Sequence, residues 1–526
     1  MNARSSLVHH FLENSALTFP DKIAVIDEKS RADYSSINRF ANKVAHCLSK
    51  SGVSRGERVI LLCENSLEYV YCYYGILKAG GIAVSLSTDI TPDGLRELLK
   101  ELEPKVLIVS PKYERSLQSI DLSTLGINHI LGIGSHLALN WATCRFSRLD
   151  AGLEGQQEEN PDLPIRPKSC AAIIYTSGSG GKPRGVMLSH ANIVANTKSI
   201  IEFLKLTPDD VQMVVLPFFY VMGKSLLNTH FAVGGKIVIN NKFAYTASVL
   251  KQMTREGVTG FSGVPSTYTQ LLFKSPLAQY QEKLPSLRYC SQAGGHMPKH
   301  IKLELLKALP NHTQFIVMYG ATEASARLTY VPPEYLESKI DSIGIPISGV
   351  TINVLSPEGK VLRPGEVGEL VARGENIMLG YYKDKEATNR VLDQHGYHTG
   401  DLGFYDGDGV FFLTGRMDAQ IKVKGHRIDP QEIEDIVVES GQAIECIILM
   451  APDLIMGNKL VGLAVPVKET GNAASKMIEY CHRMLPKHKI PEIMLLVDAI
   501  PKNSTGKPDR IRSLELFHEK INKRPR

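Results

Sequence analysis

Apolar runs that alternate with amphipathic segments are the feature that most constrains the fold of this chain. Residues 58–62, 82–86 and 105–109 are short runs rich in Val, Ile and Leu, and helical patterns such as residues 67–78 separate them. Strands that alternate with helices indicate βαβ units and parallel sheets. The alternation continues through most of the first 350 residues, so the sequence predicts a large α/β domain.

The pattern changes after about residue 350. Turn signals at residues 357–359, 364–365 and 406–409 stand close together and predict hairpins or a small β-barrel-like subdomain. Beyond Gly415 we expect a compact α+β region, in which Asp429 is the N-cap of a helix, Pro430 fits its first turn and Glu432 completes a capping box. The predicted domains are residues 1–415 and residues 416–526.

Composition excludes several classes of protein. The 526 residues are 43% hydrophobic and carry a net charge of only +5, which is too small an excess to predict nucleic-acid binding. No apolar run is long enough to predict a membrane span, and the N-terminal residues do not have the pattern of a secretory signal. The eight cysteines stand singly without metal-binding spacing, so we expect a cytoplasmic protein.

A glycine-rich loop at residues 175–185 is the strongest local signal. It reads Tyr-Thr-Ser-Gly-Ser-Gly-Gly-Lys-Pro-Arg-Gly, follows the apolar strand of residues 171–174, and precedes a helix for which Ser189 is a suitable N-cap. Glycines allow backbone N–H groups to close around an anion, while Lys182 and Arg184 supply positive charge. Thr176 and Pro183 stand where a Walker A loop requires Gly and Ser or Thr, so this is a phosphate loop of another kind.

Four further motifs follow this loop in order along the chain. They are Tyr319-Gly320-Ala321-Thr322-Glu323, residues 396–401 (Gly-Tyr-His-Thr-Gly-Asp), residues 415–427, which begin Gly-Arg-Met-Asp, and residues 501–507 (Pro-Lys-Asn-Ser-Thr-Gly-Lys). Together with the loop, these motifs resemble the adenylate-forming superfamily of AMP-forming acyl-CoA synthetases, nonribosomal-peptide adenylation domains and beetle luciferases. The resemblance covers nearly the whole chain.

The resemblance implies ATP, Mg²⁺ and CoA as reactants and cofactor, and it implies a role for each motif. Lys507 would be the catalytic lysine, Thr322 a donor to the α-phosphate, and Glu323 the ligand of Mg²⁺, a cation that prefers oxygen. Asp401 and Arg416 would bind the ribose. The remaining residues expected to bind ATP are Thr176, Ser177, Gly178, Ser179, Gly180, Gly181, Lys182, Gly294, Gly295, Tyr319 and Gly320.

The resemblance also implies two poses of a mobile C-terminal domain. Asp418 occupies the hinge position, and in the second pose Lys424 and Gly425 would line the tunnel for the pantetheine thiol. Rotation between the poses would let one site carry out the phosphate chemistry and then the thiol chemistry.

Some residues depart from the family pattern. Gly180 replaces a Thr and Arg184 replaces a Lys in the phosphate loop, changes that would lower activity without abolishing it. Tyr220 stands where acyl-CoA synthetases often carry His and amino-acid-activating domains carry Asp, so α-amino acids are disfavoured. Lys224 follows one helical turn later, where solvent exposure is the favoured interpretation and contact with a second substrate carboxylate is the alternative. The residues expected in the acyl pocket are Phe219, Tyr220, Gly294 and His296.

The predicted function is activation of a carboxylic acid, with an apolar acyl or aryl group, to an acyl-adenylate and then to an acyl-CoA. Fatty acid metabolism is the expected setting. The same adenylation with transfer to the phosphopantetheine of a separate carrier protein is the alternative, since the chain contains no carrier domain. A family member that binds ligands without turnover is the third possibility, and Gly180 is its main support. The expected partners are the acid, ATP and CoA.

Overall fold

The structure is a computed structural model of the chain. It describes residues 6–28, 30–134, 144–176, 183–417, 421–423, 426–453, 457–468, 471–503 and 506–522. Within these residues, no helix combines the length and the apolar character needed to cross a membrane.

Helices and strands alternate through the first part of the chain, as the sequence predicts. Ser189 caps α7 by accepting from the Asn192 N–H, which confirms the expected start of that helix. In chain order the elements are α1 (His10–Thr18), β1 (Ile23–Ile26), β2 (Arg31–Asp33), α2 (Tyr34–Lys50), β3 (Arg58–Leu62), α3 (Leu67–Lys78), β4 (Ile82–Ser85), α4 (Pro92–Leu102), β5 (Val106–Val109), α5 (Glu114–Gln118), β6 (His129–Gly132), β7 (Arg145–Arg148), α6 (Leu149–Leu153), β8 (Cys170–Thr176), β9 (Arg184–Ser189) and α7 (His190–Leu204).

The alternation continues to residue 346 and then gives way to strands. The middle elements are β10 (Val211–Val214), α8 (Val221–Val233), β11 (Lys236–Ile239), α9 (Thr246–Glu256), β12 (Gly260–Gly263), α10 (Pro265–Lys274), β13 (Tyr289–Gln292), α11 (Lys299–Ala308), β14 (Gln314–Tyr319), β15 (Thr329–Tyr330) and β16 (Ser342–Pro346). The strand-rich part contains β17 (Val350–Leu355), β18 (Gly368–Gly374), β19 (Gly380–Tyr381), α12 (Lys385–Val391), β20 (Leu392–Asp393), β21 (Gly396–Tyr405) and β22 (Phe411–Arg416).

Two large sheets organise these elements. The first has the order β19-β9-β8-β4-β3-β5-β6-β7, and its strands from β8 to β7 are parallel. The second runs β17-β18-β21-β22-β16-β15-β14-β13-β12-β10-β11-β1-β2 and is parallel from β14 to β1. The prediction of parallel α/β sheets is therefore confirmed. Open parallel sheets place their ligands beyond the carboxyl ends of the strands.

The strands after residue 340 do not form the expected barrel. β16 pairs with β15 on one side and with β22 on the other, which attaches the antiparallel strands β22, β21, β18 and β17 to the end of the second sheet. In the described part of the chain the sheet ends at β17 and does not close. Close turn signals predict hairpins correctly, but they carry no information about the partner of the outermost strand.

The small C-terminal domain has an α+β fold. Asp429 caps its first helix by accepting from the Gln431 N–H, which confirms the predicted helix start, whereas Glu432 pairs with Lys489 and does not complete the predicted capping box. Its described elements are β23 (Ile421–Val423), β24 (His426–Ile428), α13 (Pro430–Glu439), β25 (Ala443–Asp453), β26 (Gly457–Pro466), α14 (Ala473–Met484), β27 (Ile493–Leu496) and α15 (Arg510–Asn522).

Candidate active site

The two strands that flank the phosphate loop form an antiparallel pair. β8 ends at Thr176, which pairs with Arg184 at the start of β9. The loop between them, with Ser177, Gly178, Ser179, Gly180, Gly181 and Lys182, lies outside the described residues. The Arg184 guanidinium lies 5.5 Å from the centroid of the Tyr381 ring, so the departure from Lys retains a positive charge beside that ring.

Glu323 lies at the carboxyl end of the second sheet, just beyond β14. Its Oε1 accepts a hydrogen bond from the Tyr381 hydroxyl at 2.8 Å, and its backbone carbonyl accepts from the Met378 N–H. Burial and the neighbouring Glu323 carboxylate raise the pKa of Tyr381, so the phenol keeps the proton that it donates. Tyr381 belongs to β19, which pairs with β9, so this bond joins the two large sheets next to the strand that follows the predicted phosphate loop.

A second carboxylate lies near the same strand end. Asp401 Oδ2 accepts a hydrogen bond from the Tyr319 hydroxyl, and Asp401 Oδ1 lies 3.3 Å from Arg416 Nη1. Asp401 and Arg416 are opposite each other in the pairing of β21 with β22, so the sheet register itself sets this contact. Burial and the Asp401 carboxylate raise the pKa of Tyr319 well above its ordinary value.

Gly320 and Thr322 lie along the chain between Tyr319, which contacts Asp401, and Glu323. A Cβ at Gly320 would stand 2.1 Å from the carbonyl oxygen of Ala326, so only glycine fits this turn. Thr322 is buried in the short turn that follows. The structure thus brings Tyr319, Glu323, Asp401 and Arg416, which are up to 97 positions apart in the sequence, to one end of the second sheet.

Gly294 lies against the wall of the predicted acyl pocket that Tyr220 and Val264 form, and Gly295 lies against Pro265. Gly294 has φ +84°, and a Cβ there would lie 3.2 Å from Val264 and 3.3 Å from the Tyr220 hydroxyl. Tyr220 packs with Met222, Val264 and Met318 in one apolar cluster. Tyr220 and Gly294, both expected in the acyl pocket, are therefore neighbours in the structure. Phe219 is buried next to Tyr220, and its contact with substrate stays a prediction.

The C-terminal domain reaches the same wall. The Ser266 hydroxyl donates to the carbonyl of Gly506 at 3.4 Å, and a Cβ at Gly506 would lie 3.3 Å from Val264, the residue that also contacts Gly294. Lys507, which follows Gly506, is exposed. The loop expected to deliver the catalytic lysine therefore lies beside the glycine strip that Gly294 and Gly295 form.

His296 also contacts the C-terminal domain. Its Nε2 lies 2.9 Å from Oδ2 of Asp435 on α13, and both side chains are partly exposed. Its place in the acyl pocket remains a prediction. The hinge and thiol-tunnel residues Asp418, Lys424 and Gly425 lie outside the described residues.

Lys224 corrects an expectation. Its side chain is 2% exposed, and Nζ donates to the Ser85 hydroxyl at 2.8 Å and lies 4.8 Å from the centroid of the Tyr73 ring. Solvent exposure was therefore the wrong interpretation. α8 packs against α1, α7 and the strands β10 and β11 of the second sheet and is buried along most of its length, so even its polar positions lack access to water.

The Glu323 carboxylate is a suitable ligand for a magnesium ion. Among the described residues Glu323 Oε1 is held by Tyr381, while Oε2 has no hydrogen-bond donor and is available to a cation. Mg²⁺ in nucleotide sites commonly takes one or two protein carboxylates and completes its octahedron with phosphate and water oxygens. One half-buried carboxylate near the strand that follows the predicted phosphate loop is consistent with that pattern.

Comparison with known proteins gives the family. Residues 12–382 match the family model of the AMP-binding enzymes, and residues 432–507 match the model of the AMP-binding enzyme C-terminal domain. The chain therefore belongs to the AMP-binding enzymes, within the adenylate-forming superfamily. It is an AMP-forming acid–CoA ligase.

Individual relatives align over nearly the full chain. This chain is 28% identical over 493 residues to the feruloyl-CoA synthase of Amycolatopsis sp, and the alignment covers 93% of this chain and 94% of that protein. It is 27% identical to the long-chain-fatty-acid–CoA ligase of Bacillus subtilis (strain 168), with 96% and 93% covered. The structure of ATP-bound MatB from Rhodopseudomonas palustris superimposes with a TM-score of 0.85 at 26% identity, over 98% of this chain and 100% of that one.

Three residues of the site carried no motif signal that singled them out. Tyr381 holds Glu323 from 58 positions away, and Asp435 holds His296 from the other domain. Arg327 is buried four residues after Glu323, and its only sequence signal is a charge within the otherwise uncharged stretch of residues 324–333.

Proposed function

We propose that this enzyme condenses a carboxylic acid with ATP to give an acyl-adenylate and pyrophosphate, and then transfers the acyl group to the thiol of CoA. In the first step a carboxylate oxygen attacks the α-phosphorus, and the bond from that phosphorus to the bridging oxygen of pyrophosphate breaks. In the second step the sulfur attacks the acyl carbon, the bond to AMP breaks, and the thiol proton is released. The observation that carries the proposal is the loop of Gly506 and Lys507 against Val264, beside the glycine strip.

The negative charges of the two reactants determine the role proposed for each residue. Both reactants of the first step are anions, so the site must gather cations and donors. In this proposal Lys507 bridges the carboxylate and the α-phosphate, and Thr322 donates to the same phosphate. Glu323 would hold Mg²⁺, which supplies charge neutralisation at the phosphates when bound.

The nucleoside half of ATP would lie at the second carboxylate. Asp401 accepts from the ribose hydroxyls in this proposal, with Arg416 beside it, and its contact with Tyr319 keeps its orientation fixed. Thr176 and the loop from Ser177 to Lys182 would hold the β- and γ-phosphates, and Gly294, Gly295 and Gly320 leave room for the nucleotide. The second half-reaction would use Lys424 and Gly425 after rotation about Asp418.

The acid would lie with its apolar part against Tyr220, Met222 and Met318. These side chains pack together, and among them only the Tyr220 hydroxyl is a hydrogen-bonding group of ordinary strength. An acyl or aryl acid fits such a wall, which supports a role in the metabolism of fatty or aromatic acids. The eight cysteines are all unpaired in the structure, which supports a reducing compartment such as the cytoplasm.

Pyrophosphate release tests the proposal. Wild type is incubated with ATP, Mg²⁺ and a panel of fatty, aryl and amino acids, each with and without CoA. We expect acid-dependent release that rises with CoA and yields an acyl-CoA by mass. Pyrophosphate release that does not depend on CoA would indicate a carrier protein, and not CoA, as the acceptor of the acyl group. No release with any acid would favour a protein that binds ligands without turnover.

The Lys507→Ala variant assigns the chemistry to one residue. We expect adenylation to fall by about 10²-fold or more, while ATP binding is kept, because the amine acts on the transition state and not on nucleotide affinity. Lys476→Ala is the matched control, since Lys476 is an exposed lysine on α14 of the same domain. An equal loss of activity in both variants would contradict the assignment.

A further inference from the structure

Arg327 is a buried cation without an anionic partner. Its side chain is 2% exposed, Nε lies 3.2 Å from Met318 Sδ, and Nη1 donates to the carbonyl of Ala326 at 3.3 Å. A thioether is a weak acceptor and a carbonyl carries no net charge, so neither contact neutralises a guanidinium. Burial lowers the pKa of Arg327 to about 10, which leaves it charged at neutral pH. No carboxylate among the described residues forms an ion pair with it.

The guanidinium lies at the wall predicted for the acyl group. The Tyr220 hydroxyl lies against Gly294 of the glycine strip. Met318, which contacts Arg327, packs in the same apolar cluster as Tyr220 and Val264. Arg327 therefore stands beside the place where the substrate acid is expected.

The protein holds Arg327 there at a cost. An unpaired buried charge costs several kcal/mol. Buried Lys78 avoids this cost through an ion pair with Glu13 at 2.7 Å, and burial lowers the pKa of Lys224 to about 7, so that this amine can lose its charge, whereas Arg327 stays charged. The two residues before Arg327 are also strained, since Ser325 has φ +56° and Ala326 has φ +124°. Strain and an uncompensated charge at one position are typical of functional sites, where a ligand compensates for both.

We propose that the substrate acid carries a second anionic group, a carboxylate, and that Arg327 binds it at the wall of the acyl pocket. This inference rests on the proposed function and names its substrate class: dicarboxylic acids whose two carboxylates are separated by an apolar or aryl body. A guanidinium can hold a carboxylate through two parallel hydrogen bonds, and a site built around such a group discriminates strongly against analogues that lack the partner.

Lys224 is the competing cation. It follows Tyr220 by one helical turn, but its Nζ donates to Ser85 and lies over the ring of Tyr73, which belongs to a different apolar cluster from Tyr220. The geometry therefore favours Arg327, and the Lys224→Met variant tests that choice.

The experiment compares matched acids. kcat/KM for pyrophosphate release is measured with straight-chain dicarboxylic acids and their monocarboxylic counterparts, and with benzoate and its three singly carboxylated forms. We expect wild type to prefer the best dicarboxylic acid over its counterpart by about 100-fold or more. Arg327→Met should remove this preference and leave the KM for ATP unchanged. Arg327→Lys, which keeps the charge but not the two-pronged geometry, should restore part of the preference.

The possible failures can be told apart. Melting temperature and ATP binding show whether Arg327→Met is folded; if it is not, the Arg327→Lys comparison decides. Three results would overturn the inference. Wild type could prefer monocarboxylic acids, a folded Arg327 variant could lose kcat/KM equally for both kinds of acid, or the preference for dicarboxylic acids could be lost only in Lys224→Met. Activity with monocarboxylic acids alone would leave the proposed ligase function intact, whereas inactivity with every acid would remove both.

Discussion

Burial of Lys224 makes the stability of this enzyme depend on pH in an unusual range. Burial lowers the pKa of Lys224 from its ordinary 10.5 to about 7, so between these values the unfolded chain binds a proton that the folded chain does not. Stability then rises with pH across this window, at about 1.4 kcal/mol per pH unit for this one group, or ~5 kcal/mol in total. Lys224→Met removes this contribution.

We therefore expect Lys224→Met to be more stable than wild type near pH 7, and its advantage to shrink by ~3 kcal/mol between pH 7.5 and pH 9.5. Scanning calorimetry at several pH values measures this as a gap in melting temperature that narrows by a few degrees. Lys198→Met, at an exposed position of α7, is the control and should give a constant gap. A constant gap for Lys224→Met would refute the reasoning.

Two other contacts give predictions. His190 Nδ1 accepts the Val8 N–H at 3.2 Å, and burial lowers the pKa of His190 to about 4, so wild type loses stability as pH falls from 6.5 towards 4. His190→Asn keeps an acceptor without titrating and should retain about 2 kcal/mol of the stability that wild type loses by pH 5; parallel melting profiles would contradict this. Asp435→Asn weakens the partly exposed ion pair with His296, which contributes at most about 1 kcal/mol. Pyrophosphate release should therefore slow by up to fivefold, while transfer of the acyl group from preformed acyl-adenylate to CoA should be unchanged. Equal slowing of both steps would exclude a role in the adenylation pose.

The layout of the large domain was predictable because its signals are local. Residues 58–62, 67–78 and 82–85 became β3, α3 and β4 at the expected positions, and parallel pairing followed from their alternation. The barrel was predicted wrongly because closure depends on which distant strand pairs with the outermost one. β16 and β22 are joined through a contact across 65 positions or more, which no turn signal specifies.

The residues of the candidate site also fall into two groups, those that a sequence motif identifies and those that only the fold identifies. Asp401 and Arg416 lie in recognisable motifs, and the strand pairing then brings them into contact. Tyr381 and Asp435 contact residues that only folding brings near, and only the fold shows that Arg327 is buried, so sequence patterns could not identify them. Lys224 was misjudged because a lysine is normally solvated, and the polarity of one residue does not reveal that its helix is buried along most of its length.

The central claim is that this chain couples ATP cleavage to thioester formation, and the stoichiometry of products tests it most directly. With a turned-over acid, ATP and CoA, chromatography of the reaction should give one AMP and one acyl-CoA for each pyrophosphate released, and no ADP. Formation of ADP, or acid-dependent AMP without consumption of CoA, would contradict the account.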